Sequence, residues 1–141
     1  SVVGTDGGRC ESAVLWVAID PETGAPARLP ESFHQAYDEA AAGRRVTARL
    51  QHDAPPVDAP RLDWRFRAAD LDRLGHVNNA AYWAAVEECL APRPRPTPLR
   101  AELEYREPVP ADASLHLVGD AAAGWLVDES GAVKASFRTG A

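Results

Sequence analysis

Four polar side chains that could serve a reaction centre, two of them titratable, lie within eight residues of one another, just before an apolar segment. The sequence reads DLDRLGHVNNAAYW over residues 70–83 and carries Asp72, His76, Asn78 and Asn79. A carboxylate can activate water or attack a carbonyl carbon directly, and an imidazole transfers protons near neutral pH. The asparagine amides can hold a water molecule or a carbonyl group. These residue types predict a hydrolytic centre in which Asp72 is the base or nucleophile and His76 assists it.

The segment that follows these residues predicts the helix that would position them. Side chains that are wholly or mainly apolar recur there at helical spacing, at Tyr82, Val86, Cys89 and Leu90. Either asparagine can cap the start of such a helix, and the prolines of residues 92–98 cannot continue it. We therefore predict a helix over about residues 78–91.

The start of this helix would supply the electrophilic help that hydrolysis needs. Backbone N–H groups around residues 77–79 would point at a carbonyl oxygen, with the positive end of the helix dipole behind them. Gly75 would let the chain come close to the substrate. The apolar helix beneath this polar cluster would line a tunnel for an apolar part of the substrate.

Apolar and polar residues alternate on either side of the helix, which is the pattern of half-buried β-strands. The clearest cases are RLDWRFR at residues 61–67 and LRAELEYREPV at residues 99–109, and shorter strands follow in ASLHLVGD, GWLVDES and AVKASFRTG. A helix that is apolar nearly all round must be covered on most sides, and a curved antiparallel sheet can do so. Residues 61–141 therefore predict an α+β domain in which an antiparallel sheet wraps around a central helix.

Residues 1–60 have a different pattern. The run CESAVLWVAID, residues 10–20, predicts a buried strand that ends at the turn-forming PETG. Residues 30–43 predict a short amphipathic helix, with Phe33 and Tyr37 on one face and a glycine at its end.

The next stretch separates these residues from the predicted domain. Residues 44–51 predict a strand or an extended lead, and HDAPPVDAP at residues 52–60 predicts a linker, so we place a boundary there. The chain opens with Ser1 and contains no methionine. Either the initiator was removed or the chain is a fragment of a longer protein.

Composition narrows the class of protein. With 141 residues, 45% hydrophobic and 26% charged, the chain has the make-up of one globular domain, and no apolar run is long enough to span a membrane. A net charge of -6 argues against nucleic acid as a partner. Two distant cysteines without metal-ligand spacing, and no signal peptide, predict a cytoplasmic protein without a metal or cofactor. Arginines between residues 61 and 106 would either meet an anionic partner or simply solubilise strand faces.

The stretch DLDRLGHVNNAAYW resembles the C-terminal repeat of the acyl-acyl carrier protein (acyl-ACP) thioesterases, which have the hotdog fold. LEYREPV, residues 103–109, resembles the strand that follows the helix in that family, and LWVAIDPETGAPARLP, residues 15–30, resembles the end of its N-terminal repeat. The resemblance implies a hotdog domain at residues 61–141. It also implies that residues 1–60 are the closing strand and linker helix of a preceding hotdog repeat.

The activity that this resemblance implies is hydrolysis of acyl thioesters of acyl carrier protein or coenzyme A, with release of a fatty acid. Asp72 takes the place of the family's catalytic aspartate. The other site assignments are His76, Asn78 and Asn79 as catalytic residues and Gly75, Val77 and Tyr82 as substrate-binding residues. Because a hotdog pairs with a second copy, we expect a homo-oligomer such as a dimer, or a second repeat.

Two positions depart from the family pattern. Leu74 stands where plant members carry an asparagine, and Val109 stands where they carry a cysteine. Glu107 can take the place of the family's glutamate only if the alignment slips by one residue. Cys89 is not expected to replace the missing cysteine as a nucleophile, because its position on the predicted helix faces the packed interior. The alternative function is a catalytically silent hotdog domain that binds acyl chains or completes a double-hotdog assembly, and a hotdog dehydratase is a third reading.

Other polar residues are predicted to be structural. Asp70 is predicted to stabilise a turn, because aspartate is common in turns. One of the two asparagines reads as the helix cap. His34, His52 and His116 stand in no comparable group of residues and are assigned structural roles.

Overall fold

The chain forms two units, Ser1–Arg49 and Leu50–Ala141, in a computed structural model that describes residues 1–20, 22–43, 49–91 and 98–140. Two short hairpins and a helix make up the first unit. Strand β1 (Val2–Val3) pairs with β2 (Arg9–Cys10), β3 (Ala18–Ile19) pairs with β4 (Pro26–Ala27), and helix α1 spans Glu31–Ala41.

Helix α1 confirms the helix predicted for residues 30–43. It begins directly after Pro30, whose extended backbone marks the residue just outside the helix. Phe33 and Tyr37 lie one turn apart on the same face, with ring centroids 4.5 Å apart. The helix ends because Ala42 and Gly43 both take left-handed conformations, with φ of 50° and 71°.

The buried strand predicted for residues 10–20 is wrong. In this run only β3 and the end of β2 pair with another strand, and the exposed fractions of Val14 and Trp16 are 68% and 63%. After β4 the chain reaches Pro30 within three residues and α1 then begins, so among the described residues no strand longer than β4 pairs with β3. An apolar run without such a partner cannot satisfy its backbone hydrogen bonds as a strand.

The turn predicted after that run is confirmed for its described residues. Asp20 Oδ1 accepts the backbone N–H groups of Glu22 and Thr23, both at 2.9 Å. Gly24 has a φ of 69° and donates its N–H to the Asp20 carbonyl at 2.8 Å. Pro21 lies outside the described residues.

The second unit contains the predicted antiparallel sheet. Its strands are β5 (Arg61–Trp64), β6 (Arg100–Tyr105), β7 (Leu115–Gly119), β8 (Ala123–Asp128) and β9 (Val133–Gly140). Their order in the sheet is β5-β7-β8-β9-β6, with every neighbouring pair antiparallel. The ladder between β6 and β9 pairs Tyr105 with Ala135, and this register places the end of β6 beside Lys134.

The central helical segment lies between β5 and β6 in the chain. It begins as a 3₁₀ turn at Asn79–Tyr82 and continues as helix α2 at Trp83–Leu90, which confirms the helix predicted over residues 78–91. Its buried side chains share one core with the inner face of the sheet: Tyr82, Ala85, Val86 and Leu90 from the helix, and Leu115, Leu117, Leu126, Ala135 and Phe137 from the strands. Burial of these apolar groups holds the helix on the sheet.

Residues 50–60, which we call the linker, pack on the opposite face of the sheet and contain no helix or strand, as predicted for residues 52–60. The His52 ring Nδ1 lies 3.0 Å from Ser136 Oγ, and the Trp125 indole N–H donates to the Asp53 carbonyl at 2.8 Å. His52 is buried, as a structural histidine would be, and this burial lowers its pKa. Residues 44–48, part of the predicted lead, lie outside the described residues.

Among the residues that the structure describes, no helix is long and apolar enough to cross a membrane. Along the chain the first unit ends at Arg49 and the second begins at Leu50, whereas the sequence places the boundary at residues 52–60. The assignment of residues 1–60 to a preceding repeat stays a prediction.

Candidate active site

A tight turn presents the predicted acid and histidine. Leu71 and Val77 pair across its base. The Asp72 N–H donates to the His76 carbonyl at 2.7 Å, and the Gly75 N–H donates to the Asp72 carbonyl at 3.2 Å. Gly75 has a φ of 76°, which other residues adopt only with strain. A Cβ on Gly75 would meet no atom of the protein within 4 Å, so within the described chain it is the turn conformation that requires glycine. The predicted close approach to a substrate stays a prediction.

The Asp72 carboxylate is held by one oxygen and free at the other. Oδ1 accepts the backbone N–H groups of Leu74 at 2.8 Å and His76 at 3.1 Å. Oδ2 has no partner within the described part of the chain, and Asp72 is exposed. The carboxylate is therefore fixed in one orientation with an oxygen available to take a proton or attack a carbon.

Two of the three backbone N–H groups predicted to face a carbonyl oxygen are already bonded. The Val77 N–H donates to the Val109 carbonyl at 2.9 Å, and the Asn78 N–H donates to the Asp70 carbonyl at 2.8 Å. The prediction is therefore wrong for these two groups, whose bonds fix the turn to its surroundings. The Asn79 N–H, at the start of the helical segment, has no acceptor among the described residues and is the donor left.

The two asparagines have different roles. Asn78 Oδ1 accepts the Ala80 N–H at 2.9 Å, so Asn78 is the helix cap that was predicted for one of the pair. The Asn79 carbonyl accepts the Tyr105 hydroxyl at 2.7 Å. This bond ties the start of the helical segment to the end of β6.

A cavity of about 250 Å³ lies beside the turn. It is lined by Asp72, His76, Val77, Asn79, Tyr82, Tyr105, Arg106, Glu107 and Pro108. Five of the seven predicted site residues thus line one space, whereas Gly75 and Asn78 do not. Its volume lies a little below the range of about 300–1,000 Å³ for pockets that enclose drug-sized ligands, and it is large enough for a thioester group.

The acyl tunnel predicted beneath the helix is not part of this cavity. Ala85 and Val86, on the buried side of α2, are 1% and 2% exposed and pack in the core. Of the helical segment, only the first turn contributes to the cavity, through Asn79 and Tyr82. An acyl chain would therefore leave the cavity away from the core of this unit.

Two tyrosines form an aromatic wall of the cavity. The rings of Tyr82 and Tyr105 meet edge to face with centroids 5.1 Å apart, and Phe66 lies 5.1 Å from Tyr82 on its other side. Burial, with a smaller effect of Tyr105, raises the pKa of Tyr82 to about 12. Burial also raises the pKa of Tyr105. Both hydroxyls are therefore protonated at neutral pH, and the hydroxyl of Tyr105 donates a hydrogen bond to the Asn79 carbonyl.

Glu107, which the sequence assigns only through a slip in register, lines the cavity. Its Oε2 lies 2.6 Å from Lys134 Nζ, and the same ammonium lies 3.0 Å from Asp128 Oδ2. Sequence reasoning missed this pair because Lys134 reaches Glu107 through the register of β6 and β9. The sequence shows only that the Glu107 carboxylate follows a strand of alternating pattern. That pattern does not determine the register in which β6 pairs with β9.

Arg106 connects the cavity to the linker. Its Nη2 donates to the His52 carbonyl at 2.8 Å and lies 3.6 Å from Glu104 Oε2. Its Nε is buried and has no partner in the described structure. Arg106 is one of the arginines that could meet an anionic partner, but its guanidinium already contacts the His52 carbonyl and the Glu104 carboxylate.

The positions that depart from the family pattern are next to cavity residues but do not line the cavity themselves. Leu74, at the tip of the turn, is 79% exposed, and Val109 is 1% exposed in the core. Cys89 is half-buried, and burial raises the pKa of its thiol. A thiol with a raised pKa is a poor nucleophile at neutral pH, in agreement with the prediction for Cys89.

The remaining polar residues behave as expected of structural groups. The Asp70 carboxylate accepts the backbone N–H of Arg67 at 2.7 Å, and its bonds with that residue lower its pKa, as for a turn acid. His34 and His116 each lie beside one aspartate, at 3.2 and 3.1 Å. Among the described residues, no three His, Cys, Asp or Glu side chains are placed to hold a metal ion.

Comparison with known proteins places the chain among thioesterase-like sequences. Residues 55–135 match the family model of the acyl-ACP thioesterase C-terminal domain. An uncharacterized protein in each of two strains of Mycobacterium tuberculosis is 34% identical over 107 residues, which are 75% of this chain and 43% of the relative. This chain therefore spans less than half the length of these relatives.

One solved structure shares the fold over most of the chain. The 12:0-ACP thioesterase from Umbellularia californica matches with a TM-score of 0.53 and 21% identity. The match covers 86% of this chain and 51% of that protein. It agrees with the hotdog arrangement of sheet and helix described above.

Proposed function

This chain belongs to the acyl-ACP thioesterase family, whose C-terminal domain it matches over residues 55–135, and we propose that it hydrolyses acyl thioesters. The substrate is an acyl group carried on acyl carrier protein or coenzyme A, and the products are a fatty acid and the free thiol. One observation carries the proposal. Asp72, His76 and Asn79 line the same cavity, at the start of the central helical segment.

Asp72 acts on the attacking group. Its free Oδ2 takes a proton from water while the water oxygen bonds to the acyl carbon, or it attacks that carbon itself and the resulting anhydride is then hydrolysed. The C–S bond breaks in either route. His76 lines the same cavity and donates a proton to the leaving sulfur.

Asn79 supports the proposed stabilisation of the carbonyl oxygen. Its backbone N–H has no acceptor within the described chain and stands at the positive end of the helical segment. Asn79 belongs to the cavity lining as well. The hydroxyl of Tyr105 fixes this residue by bonding to its carbonyl at 2.7 Å, so the donor is held in place before the reaction begins.

Val77 and Tyr82 would contact the thioester from the apolar side of the cavity. Both are buried and both line it. Gly75 and Asn78 support the site indirectly, by the left-handed turn and by the helix cap. In this proposal they shape the site without touching the substrate.

We infer that a second hotdog, from another copy of the chain or from another repeat, covers the outer side of α2. Trp83 on that side is 41% exposed, and its exposed neighbours on the helix are Ala84, Glu87 and Glu88. An apolar side chain of this size on an open helix face indicates a contact surface. The part of an acyl chain that lies outside the cavity would extend toward that contact.

The alternative function is a silent domain that binds acyl groups, and one observation favours it. The Asp72 carboxylate accepts two backbone N–H groups of its own turn, which is a sufficient structural reason for an aspartate at this position. Asp72 can stabilise a turn without taking part in catalysis. Activity measurements decide between the two functions.

The test is hydrolysis of a panel of acyl-coenzyme A and acyl carrier protein thioesters of short, medium and long chains. Free thiol is followed with a thiol reagent, and the protein is assayed as its native assembly. We expect turnover with at least one carrier and chain length. Binding of an acyl thioester without release of thiol across the whole panel would establish the silent domain instead.

A further inference from the structure

Lys134 is the only lysine of the chain, which has fourteen arginines. Its side chain is only 15% exposed, and its ammonium lies between two carboxylates, 2.6 Å from Glu107 Oε2 and 3.0 Å from Asp128 Oδ2. These contacts raise its pKa, with Glu107 as the largest cause. Lys134 is therefore charged at neutral pH and closer to Glu107 than to Asp128.

The backbone of Lys134 holds the same segment. Its carbonyl accepts the N–H of Arg106 at 2.8 Å and the N–H of Glu107 at 3.2 Å. Glu107 is thus bound to Lys134 twice, through its main chain and through its carboxylate. Arg106 and Glu107 both line the cavity, so Lys134 fixes this part of its wall from outside.

We propose that Lys134 is a positioning residue for thioester hydrolysis, which acts by holding the Glu107 carboxylate at the cavity. The proposal rests on the proposed function. Lys134 itself is not in the cavity lining, so its effect on the substrate passes through Glu107.

The two carboxylate oxygens of Glu107 have different contacts. Oε2 is bound to Lys134, whereas Oε1 has no partner among the described residues. A carboxylate held at one oxygen presents the other as a fixed hydrogen-bond acceptor, for a water molecule or for a protonated imidazole. Glu107 would therefore orient the water or the His76 ring that takes part in the reaction.

Lys134 also balances charge. Asp72 and Glu107 are the two carboxylates in the cavity lining, and two unpaired negative charges in so small a space repel each other. Pairing Glu107 with Lys134 offsets part of this repulsion, although Lys134 also pairs with Asp128. Asp72 is then the carboxylate without a cationic partner, as a base or nucleophile requires.

Arg138 offers a matched control on the same strand. Its guanidinium pairs with Asp53 of the linker at 2.8 Å, and neither residue lines the cavity. The Arg138–Asp53 and Lys134–Glu107 pairs both join β9 to a segment outside that strand. Only the Lys134 pair reaches the cavity.

The experiment compares steady-state hydrolysis and thermal melting of Lys134→Met, Lys134→Arg, Glu107→Gln and Arg138→Met with the unmutated protein. We expect Lys134→Met to lower kcat about tenfold with little change in KM, because Glu107 loses its fixed position. Glu107→Gln should cause a similar loss, and Lys134→Arg should recover most of the rate. Arg138→Met should stay within about twofold of the unmutated protein.

The double variant Lys134→Met/Glu107→Gln separates positioning from general stabilisation. If Lys134 acts through Glu107, the double variant loses no more activity than Glu107→Gln alone. Losses that multiply, or an unchanged kcat in Lys134→Met, would overturn the inference. Should Lys134→Met fail to fold, Glu107→Gln breaks the same ion pair at a side chain that is 58% exposed and so tolerates substitution better. An unchanged kcat in Glu107→Gln would overturn the inference equally. An unmutated protein that hydrolyses no thioester would refute the proposed function and the inference together.

Discussion

Two turns of the second unit share their hydrogen bonds and differ in their surroundings. The site turn reads DRLGH at residues 72–76, and the β8–β9 turn reads DESGA at residues 128–132. In each, Oδ1 of the aspartate accepts the backbone N–H groups of the third and fifth residues. The glycine in fourth place has a φ of 76° in one turn and 89° in the other. An aspartate followed three residues later by glycine therefore builds the same turn twice.

The second carboxylate oxygen distinguishes the two turns. Asp128 Oδ2 lies 3.0 Å from Lys134 Nζ, and its hydrogen bonds, with Ser130 first and Lys134 next, hold its pKa well below the usual range. Asp72 Oδ2 has no partner in the described structure. The fifth residue differs too, because His76 lines a cavity where the other turn has Ala132.

This difference shows what evidence a catalytic assignment needs. The bonds that Asp72 makes with its own turn are those of a structural aspartate, so they say nothing about catalysis. What favours chemistry at Asp72 is an unpaired oxygen beside a histidine in a shared cavity. Experiments that treat the two turns alike can therefore separate the structural role from the catalytic one.

The largest contrast is expected from removing each carboxylate charge. Asparagine keeps an oxygen that can accept the turn's N–H groups, so both Asp72→Asn and Asp128→Asn should fold. Turnover of an acyl thioester should fall about a hundredfold or more in Asp72→Asn, because the base or nucleophile is gone. In Asp128→Asn it should fall less than about threefold. Steady-state rates measured beside thermal melts distinguish a lost reaction from a lost fold, and wild-type turnover in Asp72→Asn would contradict the assignment.

A smaller contrast is expected from the two glycines. A Cβ on Gly75 or on Gly131 would meet no atom within 4 Å, so alanine at either site adds only the strain of a positive φ. Gly75→Ala and Gly131→Ala should each lower the free energy of unfolding by about 1–2 kcal/mol. Chemical denaturation measures that loss.

Activity should separate these two variants where stability does not. Gly75→Ala should also lower kcat/KM severalfold, because the turn that orients Asp72 and His76 relaxes. Gly131→Ala should leave kcat/KM nearly unchanged under conditions in which both variants are folded. Equal activity in the two alanine variants would show that the site turn does not need its geometry for the reaction.

The main features of the second unit follow from its sequence. Alternation predicts β5 to β9, and helical spacing ahead of the prolines predicts α2, because both patterns record which side of an element is buried. The same logic fails at residues 10–20, where the apolar run forms almost no strand. Burial of a strand depends on a partner, and the sequence of the run does not say whether one is present.

The sequence predicts the site residues that lie close together along the chain, but not those that the sheet brings to the cavity from distant strands. Asp72, His76 and Asn79 are close in sequence, so one turn brings them together. Glu107 and Lys134 meet only because β6 and β9 pair in one particular register, and alternation alone leaves that register open. The bonds that occupy the Val77 and Asn78 N–H groups are also contacts with residues outside the turn, to Val109 and Asp70.

The central claim is that the site turn, and not its twin, faces a bound thioester. A non-hydrolysable thioether analogue of an acyl-coenzyme A, titrated into the ¹⁵N-labelled protein, tests this directly through amide chemical shifts. The account predicts large shifts for Leu74, His76 and Glu107 and none for Ser130 or Ala132. Shifts of equal size in both turns, or shifts confined to residues away from the Asp72 cavity, would contradict it.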